Sequence, residues 1–471
     1  ILIQPSRLKE KEVLCHSQIL MGGDKRNRVF ALTALLILGL SVTFPCCFSA
    51  ASQPQTKKKS AQANKFGSSA VLPLHGNVYP LGYYSVSINI GYPAKRFDLD
   101  IDTGSDLTWV QCDAPCTGCT RPREYLYKPK NNHLQCGDPL CVAFHLPASD
   151  PCKTPEDQCD YEVEYADQGS SLGVMVNDHF PLKFTNGSQL GPRLAFGCGY
   201  DQKYPGPNTP PTTGVIGLGN GKASIVSQLS RMGLTRNVVG HCLSGQGGGF
   251  LFFGDDLVPS SGVMWTPMSR NSMENHYSSG PAELVFNGKS TGVKGLSLVF
   301  DSGSSYTYFN SQAYKAVVNL VRNDLDGKPI KETSEDKSLP ICWKGRKPFK
   351  SVGDAKNFFK PLALSFINAK NVQLQLSPED YLIVSKHGNV CFGILNGSEV
   401  GLGNLNIIGD IMLLDKMLIY DNENQRIGWA PANCNRLPNV DRECSEGNSQ
   451  PIVANLGILE QHCPAYALYD Q

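Results

Sequence analysis

Apolar and polar residues alternate along several parts of the chain. The runs at 84–90 and 161–165 place every second side chain on one face, as half-buried strands do. Apolar residues at helical spacing occur at 225–232 and at 313–325. The pattern therefore predicts a mainly β fold in which the helices are short and few.

Two predicted strands end in nearly the same turn. The first leads into Asp-Thr-Gly-Ser at 102–105 and the second into Asp-Ser-Gly-Ser at 301–304. Later in each half comes an apolar-apolar-Gly element, at 215–217 and at 407–409. The shared motif order indicates an internal duplication rather than a short-period repeat. Each half thus delivers one carboxylate into a tight turn, and paired carboxylates that share a proton are a standard means of activating water.

Composition narrows the class of protein. The 471 residues carry a formal net charge of +1, and no basic stripe with interleaved aromatics stands out, which argues against nucleic acid as a partner. A hydrophobic content of 41% allows a sizeable core. Seventeen cysteines are too many for an ordinary reduced cytosolic protein, so they indicate an oxidising compartment.

The N-terminal segment agrees with that compartment. Basic residues precede an apolar run at 29–44, and small residues follow at 49–51, as in a signal peptide. We therefore predict a leader over 1–50 and a secretory-pathway protein, extracellular or vacuolar. Met21 is a plausible start, which would leave 1–20 untranslated. An uncleaved signal anchor is the alternative, but the apolar run is short for a membrane span, so we expect no stable membrane insertion.

The remaining chain divides by composition. Residues 51–80 are predicted as a linker or short pro-segment, with order beginning near Tyr83. An N-terminal lobe is expected over 81–258 and a C-terminal lobe over 276–434. Residues 435–471 are polar and are predicted as a tail without a functional assignment.

A cysteine-rich stretch at 112–160 interrupts the first lobe. Pro, Asp, Asn and Gly fill the gaps, and periodicity is weak, so we predict an irregular insertion held by disulfides. The alternative is a zinc site made of Cys112, Cys116 and Cys119 with His133. The predicted signal peptide favours disulfides.

These motifs resemble those of the pepsin-like aspartic proteases, and more closely those of the plant nucellin-like branch related to nepenthesins. The resemblance covers roughly residues 83–434 and rests on the two Asp motifs, Trp109, Tyr165 and the two apolar-apolar-Gly elements. It implies a bilobal, mainly β fold, with two β-barrel-like lobes, a central cleft and a few short helices.

The resemblance also implies an activity. Asp102 and Asp301 would hold one water, which attacks the peptide carbonyl without a covalent intermediate. The expected protein is an aspartic endopeptidase that acts on polypeptides as a monomer, without a cofactor or metal. The alternative is a catalytically inactive binding or inhibitor protein of the xylanase-inhibitor type.

Further roles follow from the same resemblance. The second residues of the two motifs would cross-link the turns, the glycines would allow close backbone approach, and the final serines would hydrogen-bond the outer carboxylate oxygens. These supporting residues are Thr103, Gly104, Ser105, Ser302, Gly303 and Ser304.

Tyr165 would lie on a flap that closes over substrate, with Trp109 as its hydrogen-bonding neighbour. The flap turn at 166–169 departs from the family pattern, in which Gly directly follows the Tyr. By analogy, a disulfide joins Cys342 and Cys391. Two sequons predict N-glycosylation, at the positions Asn186 and Asn396.

Overall fold

The structure is a computed structural model that describes residues 68–145, 152–204, 210–269 and 276–436. The predicted signal peptide and nearly all of the predicted tail lie outside these residues. Within them, every helix is too short or too polar to cross a membrane.

The first half of the chain forms mainly strands. These are β1 Ala70–Asn77, β2 Tyr83–Ile90, β3 Lys95–Asp102, β4 Trp109–Gln111, β5 Asp160–Glu164, β6 Ser170–His179, β7 Leu182–Lys183, β8 Gln189–Leu190, β9 Arg193–Lys203, β10 Gly214–Gly217, β11 Val238–Leu243, β12 Gly249–Phe253 and β13 Met264–Pro267. The helical segments are a 3-10 helix at Arg123–Tyr125, α1 Pro139–His145 and α2 Ile225–Arg231.

The second half repeats this character. Its strands are β14 Ser278–Phe286, β15 Lys289–Ser290, β16 Leu296–Phe300, β17 Thr307–Phe309, β18 Ile330–Thr333, β19 Cys342–Gly345, β20 Leu362–Phe366, β21 Gln373–Leu376, β22 Leu382–Val384, β23 Val390–Phe392, β24 Ile394–Asn396, β25 Asn406–Ile408, β26 Lys416–Asp421 and β27 Arg426–Pro431. The helical segments are α3 Ser311–Leu325, α4 Val352–Ala355, α5 Asp410–Leu413 and two 3-10 helices at Pro378–Asp380 and Gly397–Val400. The prediction of a mainly β fold with short helices is confirmed.

Strand β3 shows why the first motif sits where it does. Phe97, Leu99 and Ile101 alternate into the core and are at most 1% exposed. The carboxylates between them face the other side, because neighbouring strand residues point to opposite faces. Hydrophobic packing of one face therefore sends Asp100 and Asp102 to the cleft side.

The two apolar-apolar-Gly elements occupy equivalent places. Strand β10 runs parallel to β3, with Gly217 opposite Asp102. Strand β25 runs parallel to β16, the strand that leads into Asp301. The internal duplication predicted from motif order is therefore present in the strand pairing.

One boundary prediction is wrong. The predicted linker over 51–80 includes β1, which pairs with β2 and β12, so order begins well before Tyr83. Leu74 and Ala70 are buried in that pairing. Long-range pairing with β12 stabilises a segment whose own alternation is weak, since strand formation depends strongly on neighbouring strands.

The final hairpin joins the first half. Strand β26 pairs with β11, and β27 pairs with both β26 and β13, so one thirteen-stranded sheet contains strands from both halves. A second sheet of eight strands carries the Asp301 motif. A disulfide between Cys242 and Cys434 closes the same region.

Disulfides hold the cysteine-rich stretch and the rest of the described chain. Within that part of the chain every cysteine is paired, in the bridges Cys112–Cys198, Cys116–Cys119, Cys136–Cys152, Cys141–Cys159, Cys242–Cys434 and Cys342–Cys391. The zinc alternative is wrong, because disulfide bonds occupy all three of the cysteines that it would use. The Cys342–Cys391 bridge is present, as the resemblance implied.

Candidate active site

Asp102 and Asp301 meet where the two duplicated turns face each other. Both residues are fully buried, and their carboxyl groups are hydrogen-bonded to one another. Since two adjacent carboxylates cannot both carry a negative charge cheaply in a buried site, the pair retains a proton. The arrangement can hold one acid and one base around a single reacting atom.

Burial is the main cause of the altered acidity. It raises the pKa of Asp102 well above the ordinary value, and the negative charge of Asp301 raises it further. Burial also raises the pKa of Asp301. Hydrogen bonds that favour each charged form oppose these shifts.

The supporting serines and glycines bind the carboxyl oxygens in matching ways. Ser105 donates to the outer oxygen of Asp102, and the backbone N–H of Gly104 donates to the inner oxygen at 2.8 Å. The second turn repeats this pattern. There Ser304 Oγ donates to Asp301 Oδ2 at 2.6 Å, and the Gly303 N–H donates to Oδ1 at 2.9 Å.

The two turns are cross-linked beneath the carboxyls. Thr103 Oγ1 accepts from the Ser302 backbone N–H at 2.9 Å and donates to the Phe300 carbonyl at 3.0 Å. In the reverse direction, Ser302 Oγ accepts from the Thr103 N–H and donates to the Ile101 carbonyl, both at 3.1 Å. Serine thus makes the same pair of bonds as threonine at the position where the motifs differ.

Two glycines allow the turns to be packed this closely. A Cβ on Gly217 would lie 2.5 Å from the backbone of Asp106, and one on Gly409 would lie 2.1 Å from the Tyr306 carbonyl oxygen. Such contacts are far below van der Waals separation. The glycine that ends each apolar-apolar-Gly element is therefore required by close backbone approach.

Tyr165 lies at the end of β5, where the hairpin turns. Its backbone N–H donates to the Gly169 carbonyl at 2.8 Å, and Gln168 adopts a left-handed φ of 72°. Asp167 accepts a hydrogen bond from the Gly169 N–H at 2.8 Å. The phenol accepts from Trp109 Nε1 at 2.6 Å, and the charge of Asp102 contributes to its raised pKa after burial. The predicted contact between Trp109 and Tyr165 is therefore present, close to the dyad.

The unusual turn residue Ala166 has its own contact. It packs against a small apolar cluster formed by Tyr308, Leu402 and Ile407, all from the second half of the chain. Glycine, which has no side chain, would leave this contact unmade. The hairpin therefore spans the cleft, with Tyr165 on one side and Ala166 resting on the other.

Sequence reasoning missed several groups near the dyad. Asp100 lies on the cleft face of β3, and Asp410 follows Gly409, where it interacts electrostatically with Asp301. His276 Nδ1 lies 3.0 Å from the Gly104 carbonyl oxygen. Strand alternation was a signal for Asp100, but nothing local in the sequence marked His276.

A buried histidine also reaches the cross-link. His241 Nε2 lies 3.1 Å from the Tyr420 hydroxyl, and the side chain of Thr103 is among the groups that influence the pKa of Tyr420. Burial lowers the pKa of His241 to about 3. Neutral histidine is therefore the form that the folded protein accommodates.

The two sequons differ in their surroundings. Asn186 is exposed, and its Oδ1 accepts from the Ser188 N–H. Asn396 is half-buried, and its amide donates to Glu399 at 2.8 Å. Glycosylation at either position stays a prediction.

The fold has solved counterparts. Basic 7S globulin from soybean superposes with a TM-score of 0.62 at 17% identity, over 79% of this chain and 99% of that one. Conglutin gamma from lupine seeds gives a TM-score of 0.60 at 17% identity, over 77% and 95% of the two chains. These likenesses support the bilobal fold alone.

Sequence comparison identifies the family. A model described as xylanase inhibitor N-terminal matches residues 84–255, and one described as xylanase inhibitor C-terminal matches 278–431. An aspartic proteinase of Oryza sativa subsp. japonica is 45% identical over 79% of this chain and 92% of its own length. Aspartic proteinase 39 of Arabidopsis thaliana is 30% identical over 77% of each chain, and nepenthesin-1 of Nepenthes gracilis is 26% identical over 75% and 78%. The chain therefore belongs to the pepsin-like aspartic proteases of plants.

Proposed function

We propose that this protein is an aspartic endopeptidase of the secretory pathway, with Asp102 and Asp301 as its catalytic residues. The observation that carries the proposal is the matched pair of buried carboxyls, each held by a serine and a backbone N–H and hydrogen-bonded to the other. An inactive relative performs no catalysis, so it would have no catalytic need for both sets of contacts. The lobes predicted over 81–258 and 276–434 would each supply one carboxyl.

The chemistry follows from the shared proton. The ionised carboxyl removes a proton from a water held between the two groups, and the water oxygen attacks the peptide carbonyl carbon. The protonated carboxyl gives its proton to the carbonyl oxygen, which forms a neutral tetrahedral diol. In the breakdown step, a diol hydroxyl gives its proton to the carboxyl that is now ionised, and the carboxyl that is now protonated gives its proton to the leaving nitrogen. The dyad therefore ends with one proton again.

The remaining residues position and enclose this reaction. Thr103 and Ser302 hold the two turns at a fixed separation, since each hydroxyl bonds backbone groups of the opposite turn. Tyr165 on the hairpin covers the dyad and limits access of bulk water. Both carboxyls come from one chain, so a monomer is sufficient for catalysis.

The proposal is tested with purified protein and an unfolded protein substrate across acid and neutral pH, with and without pepstatin. We expect acid-favoured cleavage that pepstatin blocks and that Asp102→Asn and Asp301→Asn each abolish. Asp98→Asn is the matched control, because Asp98 lies on the same strand but bonds Ser87 and Arg96 instead.

Undiminished proteolysis by the Asp102→Asn protein would refute the mechanism. Failure of the wild type to cleave, together with inhibition of an added xylanase, would favour a non-catalytic inhibitor. The xylanase assay belongs in the test because both matching family models are described as xylanase inhibitor domains.

A further inference from the structure

A cavity of about 180 Å³ lies beside the dyad and beneath the hairpin that carries Tyr165. On the dyad side its wall includes Ile101, Ser302 and Gly303, which flank the catalytic carboxyls in sequence. On the other side it is covered by Tyr165 and Gly169 of the hairpin. A group in this cavity would therefore lie next to a substrate bound at the dyad.

Asp100 lies in the wall of this cavity with half of its carboxyl unsatisfied. Thr212 Oγ1 donates to Asp100 Oδ2 at 2.8 Å, whereas Oδ1 is buried and has no hydrogen-bond partner. A buried carboxylate oxygen without a donor is costly, and such groups often indicate a ligand or water that completes the site. One oxygen of this cavity-lining carboxyl therefore has no donor.

The charges around the cavity are mostly negative. Asp167 and Asp410 line it together with Asp100, and Lys203 is its one basic side chain among the described residues. In that part of the chain no basic side chain forms an ion pair with Asp100, and Asp410 Oδ1 also lacks a partner. The cavity therefore favours a cationic group over an anionic one.

Apolar surface lies next to these carboxyls. Trp109, Val215, Tyr83 and Tyr84 are among the residues that line the cavity. Lysine and arginine have the complementary form, because a hydrocarbon stem packs against apolar surface while the charged end reaches a polar group.

We propose that this cavity is the subsite for a lysine or arginine side chain adjacent to the scissile bond, with Asp100 as the residue that selects it. The inference rests on the proposed function for the placement of the scissile bond, and it adds a substrate class to it. The ammonium or guanidinium group donates to the unpartnered Oδ1, while Thr212 holds the other oxygen in place.

The acidity of Asp100 is consistent with this role. Burial raises the pKa of Asp100 to about 7, against the opposing effect of the Thr212 hydrogen bond. A cation that enters the cavity favours the ionised form and lowers that pKa. Among the described residues, the titratable side chains that interact electrostatically with Asp100 are Tyr83, Tyr204 and Asp410. Asp167 and Lys203 line the same cavity.

The first experiment compares cleavage of a mixed peptide library by the wild type, Asp100→Asn and the control Asp98→Asn. We expect the wild type and the control to enrich for Lys or Arg at one position flanking the cleaved bond. The Asn variant should lose that enrichment by about ten- to a hundredfold and still cleave peptides with an uncharged residue there. Cleavage by the wild type without such enrichment would overturn the subsite and leave the proposed function intact.

The second experiment does not depend on cleavage. Binding of a polyalanine hexapeptide with one central lysine is compared with binding of its norleucine counterpart, on wild type and on Asp301→Asn, by calorimetry. Norleucine keeps the hydrocarbon stem without the amine, so we expect the lysine peptide to bind about tenfold or more tightly. Equal affinities would overturn the proposal. Tighter binding of the lysine peptide, together with a wild type that cleaves no peptide, would support the subsite and refute the peptidase.

Discussion

The indole N–H of Trp109 donates a hydrogen bond to the hydroxyl of Tyr165 at 2.6 Å, and both side chains are at most 5% exposed. Trp109 lies on β4, which pairs with β10 next to the Asp102 turn. The hairpin residue is therefore oriented by a strand that also borders the dyad. Loss of this one bond should affect flap position and not only local stability.

We predict that Tyr165→Phe lowers kcat/KM by about tenfold, the worth of one buried hydrogen bond. The ring remains, so the free energy of unfolding should fall by only about 1 kcal/mol. Tyr161→Phe is the matched control, because it removes a similar bond to Ser171 on the same hairpin, away from the dyad. Steady-state kinetics and urea unfolding of both variants separate the two effects. Equal activity losses in the two variants would argue for a general packing role.

The cross-link beneath the dyad should be sensitive to loss of a hydroxyl but not of a methyl group. Thr103→Ala leaves the Ser302 N–H buried without its acceptor, so we expect a loss of about 1–3 kcal/mol in unfolding free energy. A displaced turn also misaligns the carboxyls, and kcat/KM should fall by about 10²-fold. Thr103→Ser and Ser302→Thr keep the bonds and should change stability by less than about 1 kcal/mol. If Thr103→Ala changed neither the unfolding free energy nor kcat/KM, the proposed positioning role of the cross-link would be contradicted.

Buried His241 should make the fold less stable at low pH. Its pKa is about 3 in the folded protein and 6.5 in an exposed histidine. Between these values the unfolded chain binds a proton that the folded chain does not, so stability falls as the pH drops through that window. The slope should reach ~1.4 kcal/mol per pH unit.

His241→Gln keeps a hydrogen-bonding group near Tyr420 but cannot titrate, so its curve of unfolding free energy against pH should be flatter between pH 6.5 and 3. The same change at exposed His75 provides the control. Parallel curves for wild type and His241→Gln would contradict the assignment.

The disulfides should contribute unequally to stability. The Cys242–Cys434 bridge closes a separation of 192 residues, whereas Cys116–Cys119 closes only 3. Because a longer closed loop restricts the unfolded chain more, removing the first by double alanine substitution should cost about 5 kcal/mol and removing the second about 2 kcal/mol. Chemical unfolding of both double variants under oxidising conditions tests this ranking. Equal losses of unfolding free energy would indicate that contacts in the folded state, and not loop closure in the unfolded chain, determine what each bridge contributes.

The features that the sequence predicted well are local ones. Apolar periodicity located the β5–β6 hairpin and helix α3, and the repeated motif located Asp102 and Asp301 in equivalent turns. Each signal depends on neighbours within a few residues, where propensity and turn chemistry act together.

What was missed depends on contacts between distant segments. Strand β1 forms because β12 lies beside it, and its sequence contains Pro73, which weakens the local strand signal. Asp100 was visible as an alternating polar residue, but its unpartnered oxygen appears only once Thr212 and the hairpin are in place. Likewise, no local pattern connects His241 to Thr103 through Tyr420.

The pairing of β26 with β11 has a consequence for biosynthesis. During translation, β11 has no partner on that edge until residues 416–421 have emerged, because its neighbour in the sheet comes from the far end of the fold. An unpaired edge favours association with other chains. The nascent first half is therefore expected to need protection from association with other chains, and an incomplete chain that lacks this hairpin should leave that edge of the sheet unpaired.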